Sequence, residues 1–454
     1  MMYGFLWRRP LACMAVVTAA LAQTPDHLQP RPTVLDLSLR KAVEIALSPE
    51  GSTPAQLADE AVKQAEARRG EARAALLPNV DGYFTGENFT RNLQAFGVTL
   101  VNVPGLHLNL PAVVGPLNNW DARATGTQSI LDLSAITQYR ASKVNTEAAR
   151  SDRDGTRNQV TDQVARAYLN AIRADAAVES THADVRLSED LVRLAQSQKN
   201  AGTGTAIEIT RQQVQLANDR QRLIQAQNQR DLAHLQLLRT LGLRLDTAFV
   251  LTDKLSFMPI PDVNEADAVA AAKKNRPDLR GQQQHEQVAR LNYDAKKYER
   301  LPSLTAFADA GDIGLSLSDT LPTRTYGATL RIPIYNGGRR DAERAERASQ
   351  LRQERIRTAD LREQVELEVR QAIDSLHSAA AEVQAAEEGV KLAEDEVAHA
   401  ERRYKAGVTN SIEVTDAQTR LTRAHDNRIT ALYDYNLARI ELGTATGDVQ
   451  SYIP

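Results

Sequence analysis

Cysteine is almost absent from this chain of 454 residues, which contains a single one, Cys13. One thiol cannot form a disulfide within the chain. Aromatic residues are also scarce, at 5%, whereas large compact cores use more of them and charged helical rods do not. The net charge of −3 indicates no broad basic face, so nucleic acid is not an expected partner.

Long apolar runs are missing as well, and no stretch reaches the length of a transmembrane helix. Residues 11–22 form a short apolar run that follows basic residues 7–9 and ends in Ala-Leu-Ala. We therefore predict that residues 1–22 are a signal peptide cleaved before Gln23. An N-terminal core helix is disfavoured because polar, proline-rich sequence follows at once. Cys13 lies in this segment, so the mature chain is expected to have no thiolate chemistry; a lipid anchor on Cys13 stays an alternative.

Catalytic motifs are the third absence. His285-Glu286 lacks the second histidine of a zinc-protease motif, and no phosphate-binding Gly-x-x-x-x-Gly-Lys sequence occurs. Residues 202–204 (Gly-Thr-Gly) lie between two predicted helices rather than between a strand and a helix, so they do not fit a dinucleotide site. The eight histidines are scattered, and most carboxylates belong to helix faces of alternating charge. The sequence predicts no enzyme, cofactor or metal site.

A heptad repeat is the main feature that is present. Residues 336–404 contain no proline, and from Val365 to Tyr404 apolar residues recur at alternating steps of four and three. Alanine occupies one of the two repeat positions five times in succession, at Ala372, Ala379, Ala386, Ala393 and Ala400. Small side chains there let a neighbouring helix approach closely. A helix over this segment would be roughly 100 Å long, which predicts a rod that spans a distance.

The order of predicted elements occurs twice along the chain. Residues 199–210 (KNAGTGTAIEIT) match residues 404–415 (YKAGVTNSIEVT) at an offset of 205, and Leu77-Pro78 matches Leu301-Pro302. Each half is predicted to contain a helix, two strands, a long helix, a turn and another helix. This duplication predicts a linker at 23–36, a first repeat at 37–258 and a second repeat at 259–454.

The strands are predicted at residues 79–90, 120–133, 303–317 and 325–334, with a turn at 318–322. Apolar and polar residues alternate in the second pair, for example Tyr326, Ala328 and Leu330 against the residues between them. Such alternation is typical of a lipid-facing barrel wall, with a two-layer sheet packed on a helix as the alternative. Four strands cannot close a membrane barrel, which needs about eight. Either several chains build one barrel or the strands lie outside a membrane. We assign no role to the apolar stretch at 92–119.

Together these features resemble the TolC-like outer-membrane efflux family. The resemblance rests on the duplication, the two Leu-Pro pairs, residues 275–279 (NRPDL), residues 332–338 (IPIYNGG) and the two glycine-containing tips followed by Ile-Glu-(Ile/Val)-Thr. It implies a mostly α chain with a small β part. Long antiparallel coiled-coil helices would form an α-barrel, and four strands per chain would contribute to a shared 12-stranded trimeric membrane β-barrel.

The same resemblance implies a function and a location. The chain would form a homotrimer in the outer membrane, in contact with its lipid and reaching into the periplasm. It would be the passive channel of a tripartite efflux system for small toxic compounds, which a periplasmic adaptor protein and an inner-membrane pump deliver. An outer-membrane duct for type I protein secretion is the first alternative. A soluble periplasmic coiled-coil scaffold is an alternative of another class.

Carboxylates near the tips are the candidate pore aperture. Glu208 lies six residues after Gly202, and Glu413 lies six residues after Gly407, with Asp416 three residues further on the same helix face. In a threefold assembly these would form acidic rings, which favour cations. The alternative is ordinary acidity at a helix N-terminus, which the helix dipole favours. Family members carry acidic residues at these positions, so the resemblance favours the rings.

The resemblance also implies a closing contact and a docking surface at the tips. Tyr404, Glu208 and Arg211 are the candidate tip latch. Thr409 stands where family members can have a basic residue, so no salt bridge is expected from it and the latch is expected to be weaker. Gly202, Gly204 and Gly407 are the candidate tip turns and the expected docking surface for the adaptor.

Overall fold

The structure is a computed structural model that describes residues 34–96, 112–261 and 263–452. The predicted signal peptide, Cys13 and residues 97–111 of the unassigned apolar stretch lie outside the described residues. The helices are α1 (Leu39–Ala46), α2 (Thr53–Ala74), α3 (Leu133–Asn200), α4 (Ala206–Leu241), α5 (Glu265–Asn275), α6 (Pro277–Tyr298), α7 (Arg339–Lys405) and α8 (Ser411–Thr446). The strands are β1 (Leu35–Leu37), β2 (Asn79–Asn92), β3 (Val113–Leu131), β4 (Phe249–Leu251), β5 (Ser303–Ser316) and β6 (Asp319–Arg331).

Two very long helices dominate the fold. Helices α3 and α7 contain 68 and 67 residues, which corresponds to roughly 100 Å each. The predicted helix at 336–404 begins three residues later than expected, because Gly337 and Gly338 have φ angles of 70° and 82°, outside the helical region. Each long helix ends in a tight tip turn, after which α4 or α8 runs back along it. These pairs, α3–α4 and α7–α8, are called the two hairpins below.

The alanine seam of α7 packs against α8. Val365 and Val369 are fully buried in one cluster with Leu432 and Tyr435 of α8. Four of the five seam alanines are buried and Ala386 is half-buried. The heptad pattern was therefore correctly assigned to a close contact between neighbouring helices.

The four long strands form one antiparallel sheet in the order β2-β3-β5-β6. Two predicted strand starts are wrong, and β6 ends at Arg331 rather than at residue 334. Strand β3 begins at Val113 rather than at residue 120, because it pairs with β2 as far as Asn92. Strand β6 begins at Asp319 rather than at 325, because it pairs with β5 through Pro322, leaving a turn of only two residues. Proline is tolerated there because β6 lies at the sheet edge.

The sheet has one mainly apolar face and one polar face, as the alternation predicts. Phe84 stacks on Trp120 across β2 and β3, with ring centroids 5.8 Å apart. On the opposite face, Arg123 makes ion pairs with Asp121 and Asp309. One side of the sheet is therefore suited to an apolar environment and the other to water.

Helices continue the strands in the same lateral order. Near the sheet the order is α2-α3-α6-α7, and toward the tips it is α4-α3-α8-α7. Helix α4 ends where α2 begins, with Gly242 against Gly51, and α8 ends where α6 begins, with Gly447 against Arg276. The chain thus forms a wall four elements wide. Two continuous helices, α3 and α7, alternate with two columns, α4–α2 and α8–α6. In each column one helix ends where the other begins, and these two junctions are called the splices below.

A small cluster braces the wall at the level of the splices. Strand β1 pairs in parallel with β4, so the last residues of the predicted linker lie in a strand. Leu37 and Leu39 are buried there against Tyr168 of α3 and Leu241 of α4. None of the described helices combines the length and the apolarity needed to cross a membrane.

Candidate functional site

The two tips have the same backbone geometry. Gly202 and Gly407 have φ angles of 77° and 73°, the left-handed conformation that commonly ends a helix. An added Cβ would meet no atom within 4 Å at either glycine. Gly204 differs, because an added Cβ would lie 3.0 Å from the Lys199 backbone nitrogen. The tips are therefore tight turns in which the α-carbons of Gly202 and Gly407 face open space.

Glu208 has a local structural contact at the start of α4. The backbone N–H of Thr205 donates to Glu208 Oε2 at 2.9 Å, which is half of a capping box. The corresponding start of α8 is capped by Asn410, which accepts from the Ile412 N–H at 3.0 Å. Glu208 thus satisfies the helix terminus while its half-buried carboxylate stays close to the tip.

Glu413 is partly neutralised. The Thr409 hydroxyl donates a hydrogen bond to Glu413 Oε2, and Arg403 Nε lies 3.5 Å from Oε1. Thr409 makes no salt bridge, as expected, but it still contacts the acid. Sequence reasoning missed Arg403, which reaches Glu413 across the tip from the last turn of α7.

Asp416 and Arg211 are exposed, and neither has an ion pair or hydrogen bond among the described residues. The structure does not bring these two side chains together within one chain. Among the described residues Asp416 therefore has no ion-pair partner, in contrast to Glu413.

Tyr404 is the most buried residue of the candidate latch. Its side chain is 3% exposed and packs with Leu191, Val414 and Ala417. Its hydroxyl is buried without a hydrogen-bond partner among the described residues. Burial raises the pKa of the phenol, and the charge of Glu208 raises it further. Tyr404 and Glu208 are thus close within one chain but not hydrogen bonded.

A cross-connection between the hairpins at this level was not predicted. Gln198 Nε2, on α3, donates to the backbone oxygen of Tyr404 on α7 at 3.2 Å. A glutamine on a helix face gives no sequence signal for such a contact, because glutamine is also common on solvated faces. The tip of one hairpin is therefore tied to the end of the other.

Comparison with known proteins gives matches over most of the chain. The profile of the family described as Outer membrane efflux protein matches residues 56–243 and 268–448. The alkaline protease secretion protein AprF of Pseudomonas aeruginosa is 23% identical over 68% of this chain and 65% of its own length. The outer membrane efflux protein BepC of Brucella suis is 24% identical over 72% of this chain and 73% of its own.

A solved structure has the same fold. The Campylobacter jejuni CmeC outer membrane channel superposes with a TM-score of 0.77, at 17% identity, over 90% of this chain and 85% of that chain. At this identity the likeness applies to the fold: long helical hairpins joined to a small antiparallel sheet.

Proposed function

The chain belongs to the outer membrane efflux protein family, and from this premise we propose that three copies form a passive duct across the outer membrane. The open lateral edges of the chain carry this proposal. Strands β2 and β6 are the outer strands of the sheet and contain 14 and 13 residues. Long exposed edges are prone to pair with another chain. Pairing β6 of one copy with β2 of the next gives twelve strands in a closed trimer, above the minimum of about eight.

Apolar side chains on the outer columns support the same assembly. The outer columns are α2 and α4 on one side and α7 on the other. Exposed residues on α4 include Ile207, Val214, Ile224, Leu232 and Leu235. On α7, Ile356, Leu367 and Leu392 are exposed. Full burial of one such side chain contributes about 1.5–3 kcal/mol, so lateral contacts between copies would stabilise a closed ring.

The two sheet faces give the assembly its orientation. The mainly apolar face would contact outer-membrane lipid, and the face with Arg123 and Asp309 would line the interior. The helices would extend the duct into the periplasm and place the tips at its entrance. Glu413 and Asp416 would then stand near the threefold axis, where acidic rings favour cations.

Energy would come from partners. The sequence has no nucleotide-binding motif, so transport would be driven by an inner-membrane pump. A periplasmic adaptor would dock on the tips around Gly202, Gly204 and Gly407. Small toxic compounds are the proposed cargo. Protein secretion is the second candidate, supported by the likeness to a relative named for alkaline protease secretion.

Fractionation tests the assembly. We expect the protein in the outer membrane as trimers that dissociate on heating and that conduct ions in planar bilayers. Leu232→Glu on α4 should prevent trimers. Leu245→Glu is the matched control, because Leu245 is also exposed but lies in the connector after α4. Monomers in the soluble periplasmic fraction would instead support the scaffold alternative.

Cargo is tested in the host. Deletion of the gene should increase sensitivity to small toxic compounds and leave exported proteins unchanged. The reverse pattern would favour the secretion candidate.

A further inference from the structure

The apolar face of the sheet ends in leucines on the side where the helices begin. Leu304 of β5 pairs with Leu131 of β3 and with Leu330 of β6, so these three residues form one row. Side chains alternate between the two faces along a strand, and the register places this row on the same face as Phe84 and Trp120. Leu131 and Leu330 are exposed.

Four more apolar residues extend this row onto the connections to the helices. Leu77 and Leu301 belong to the two Leu-Pro pairs, Leu133 begins α3, and Ile334 follows β6. All four are exposed, and Ile334 is 94% exposed. These four residues and the row of three leucines are called the apolar edge below.

Positive charge is concentrated beside the apolar edge. The segments that flank the helix-side strand ends are residues 68–78, 132–143, 296–302 and 331–344. Together they contain twelve Lys or Arg residues and five Asp or Glu residues. The whole chain contains 55 and 58, so this level of the molecule is basic although the chain is slightly acidic.

Most carboxylates at this level already have a partner. Glu299, Asp341 and Glu343 form ion pairs with Lys296 or Arg300. Asp132 accepts a hydrogen bond from the Ala135 N–H as the cap of α3. The remaining cations of the region are therefore not neutralised within the chain.

Four exposed cations have no ion pair among the described residues. These residues, called the basic belt below, are Arg73 on α2, Arg140 and Lys143 on α3, and Lys297 on α6. Arg73 and Lys297 each lie four residues before the leucine of a Leu-Pro pair. Arg140 and Lys143 lie seven and ten residues after Leu133. At 1.5 Å per residue, the belt is within about 15 Å of the apolar edge.

The basic belt continues the apolar face of the sheet. Residues seven apart share one helix face, so Arg140 lies on the face of α3 that begins with the exposed Leu133. Gln138 lies on the opposite face of this helix. On α6, Lys296 turns toward Glu343 of α7, whereas Lys297 stays exposed.

We propose that the apolar edge and the basic belt together bind anionic phospholipid of the periplasmic leaflet. The inference rests on the proposed function, which places the sheet in the outer membrane and the helices in the periplasm. Acyl chains would lie against the apolar edge, and phosphate groups would lie at the basic belt. Long Lys and Arg side chains suit this boundary, because their apolar stems lie along lipid while the charged ends reach the headgroups.

Charge favours an anionic headgroup over a zwitterionic one. Three copies would place twelve belt cations around the tube, and a headgroup without net charge would leave them unneutralised. Each Lys or Arg near an anionic lipid surface strengthens association about fivefold. The belt should therefore enrich anionic phospholipid around the channel.

Tryptophan fluorescence tests which lipid contacts the apolar edge. Trp7 lies in the predicted signal peptide, so Trp120 is the only tryptophan expected in the mature chain. We would introduce Leu330→Trp as a reporter in a Trp120→Phe background. Trimers would be reconstituted in vesicles of phosphatidylcholine and phosphatidylglycerol, with brominated, quenching acyl chains on one lipid at a time. The reporter should prefer phosphatidylglycerol by about fivefold or more in apparent association constant.

The native Trp120 is the positional control. It lies on the same face of the sheet but eleven residues from Leu131, toward the opposite end of β3. Both lipids should quench it equally. An equal preference at the two positions, or a reporter that neither lipid quenches, would overturn the proposal.

Substitution tests the charge of the basic belt. Glutamine at all four positions should remove the preference of the reporter, while Arg-to-Lys and Lys-to-Arg exchanges at the same positions should retain it. The glutamine variant carries Arg73→Gln, Arg140→Gln, Lys143→Gln and Lys297→Gln. The matched control removes two arginines and two lysines that are also exposed but lie farther from the sheet: Arg186→Gln, Lys274→Gln, Lys391→Gln and Arg423→Gln. A preference that survives in the belt variant would refute the role of these cations.

Salt provides a test without substitution in the belt. Raising the salt concentration from about 0.1 M to about 1 M shortens the Debye length from about 10 Å to about 3 Å. The preference of the reporter for phosphatidylglycerol should fall and should return on dilution. A preference that is independent of salt would contradict the electrostatic argument.

Conductance of the same trimers separates this inference from the proposed function. Trimers that never conduct ions would contradict the duct. Conducting trimers whose reporter is quenched equally by the two lipids would leave the duct intact and contradict the phospholipid surface.

Discussion

Four glycines with nearly the same backbone conformation are expected to respond differently to alanine. Gly202 and Gly407 at the tips, and Gly242 and Gly447 at the splices, have φ angles between 73° and 82°. An alanine in this left-handed conformation is destabilised by about 1–2 kcal/mol. That contribution is common to all four positions.

The two pairs of glycines differ in the space available for an added Cβ atom. A Cβ at Gly242 would lie 2.6 Å from the backbone oxygen of Gly51, and one at Gly447 would lie 3.0 Å from the Arg276 nitrogen. Backbone atoms cannot rotate away, so overpacking adds about 1–3 kcal/mol. The tip glycines face open space and lack this contribution. We therefore expect the splice variants to be less stable than the tip variants by about 1–3 kcal/mol per chain.

Thermal unfolding of purified trimers measures the difference. Gly242→Ala and Gly447→Ala should lower the midpoint clearly more than Gly202→Ala and Gly407→Ala, recorded in the same detergent. Each tip variant is the control for the splice variant in its own half of the chain. Equal shifts in all four would refute the steric argument and leave only the common conformational contribution.

The tip glycines are expected to matter for efflux instead. A bulky residue at Gly202 or Gly407 should abolish efflux while trimers remain, because the turn is the proposed adaptor surface. Retained efflux would contradict that assignment.

Three further outcomes are expected. Tyr404 and Glu208 are not hydrogen bonded within one chain, so the proposed latch would be a contact with a neighbouring copy. Tyr404→Phe with Glu208→Gln should remove that contact and increase single-channel conductance, and unchanged conductance would contradict the latch assignment. Neutralising Glu413 and Asp416 as amides should reduce cation selectivity, measured as a reversal potential under a salt gradient; an unchanged potential would mean that these acids do not line the pore. Burial favours a raised pKa for Asp278, but the ion pair with Arg276 and backbone hydrogen bonds outweigh burial and lower the pKa. The ion pair therefore stabilises the α8–α6 splice above about pH 4, and its contribution is lost as pH falls further. Asp278→Asn should therefore lose part of the acid-dependent fall in melting temperature, and a profile identical to that of the unmodified protein would contradict this role.

Periodic features of the fold were predictable from the sequence. The heptads of α7 specify a buried seam because their apolar residues recur on one helix face. The second strand pair, β5 and β6, was predictable from its alternation of apolar and polar residues. The start of β3 at Val113 was missed, because only its partner strand makes that irregular stretch extended.

Contacts between polar side chains far apart in the sequence were not predictable. Ser188 and Gln418 are 230 positions apart, and serine and glutamine are both common on solvated helix faces. Their burial follows only from the packing of one hairpin on the other. Arg403 was missed for a related reason, since an arginine at a helix end is already favoured by the helix dipole and gives no sign of its carboxylate partner.

The arrangement of the splices has a mechanical consequence. The α4–α2 splice and the α8–α6 splice each lie beside the unbroken α3 helix, and α7 flanks the second splice on its other side. In a closed ring, α7 of the next copy would flank the first. Every splice would then lie between two uninterrupted helices. A tube of helices built in this way would resist bending at the level of the splices. A force applied at the tips would then be transmitted along the axis of the tube to the membrane.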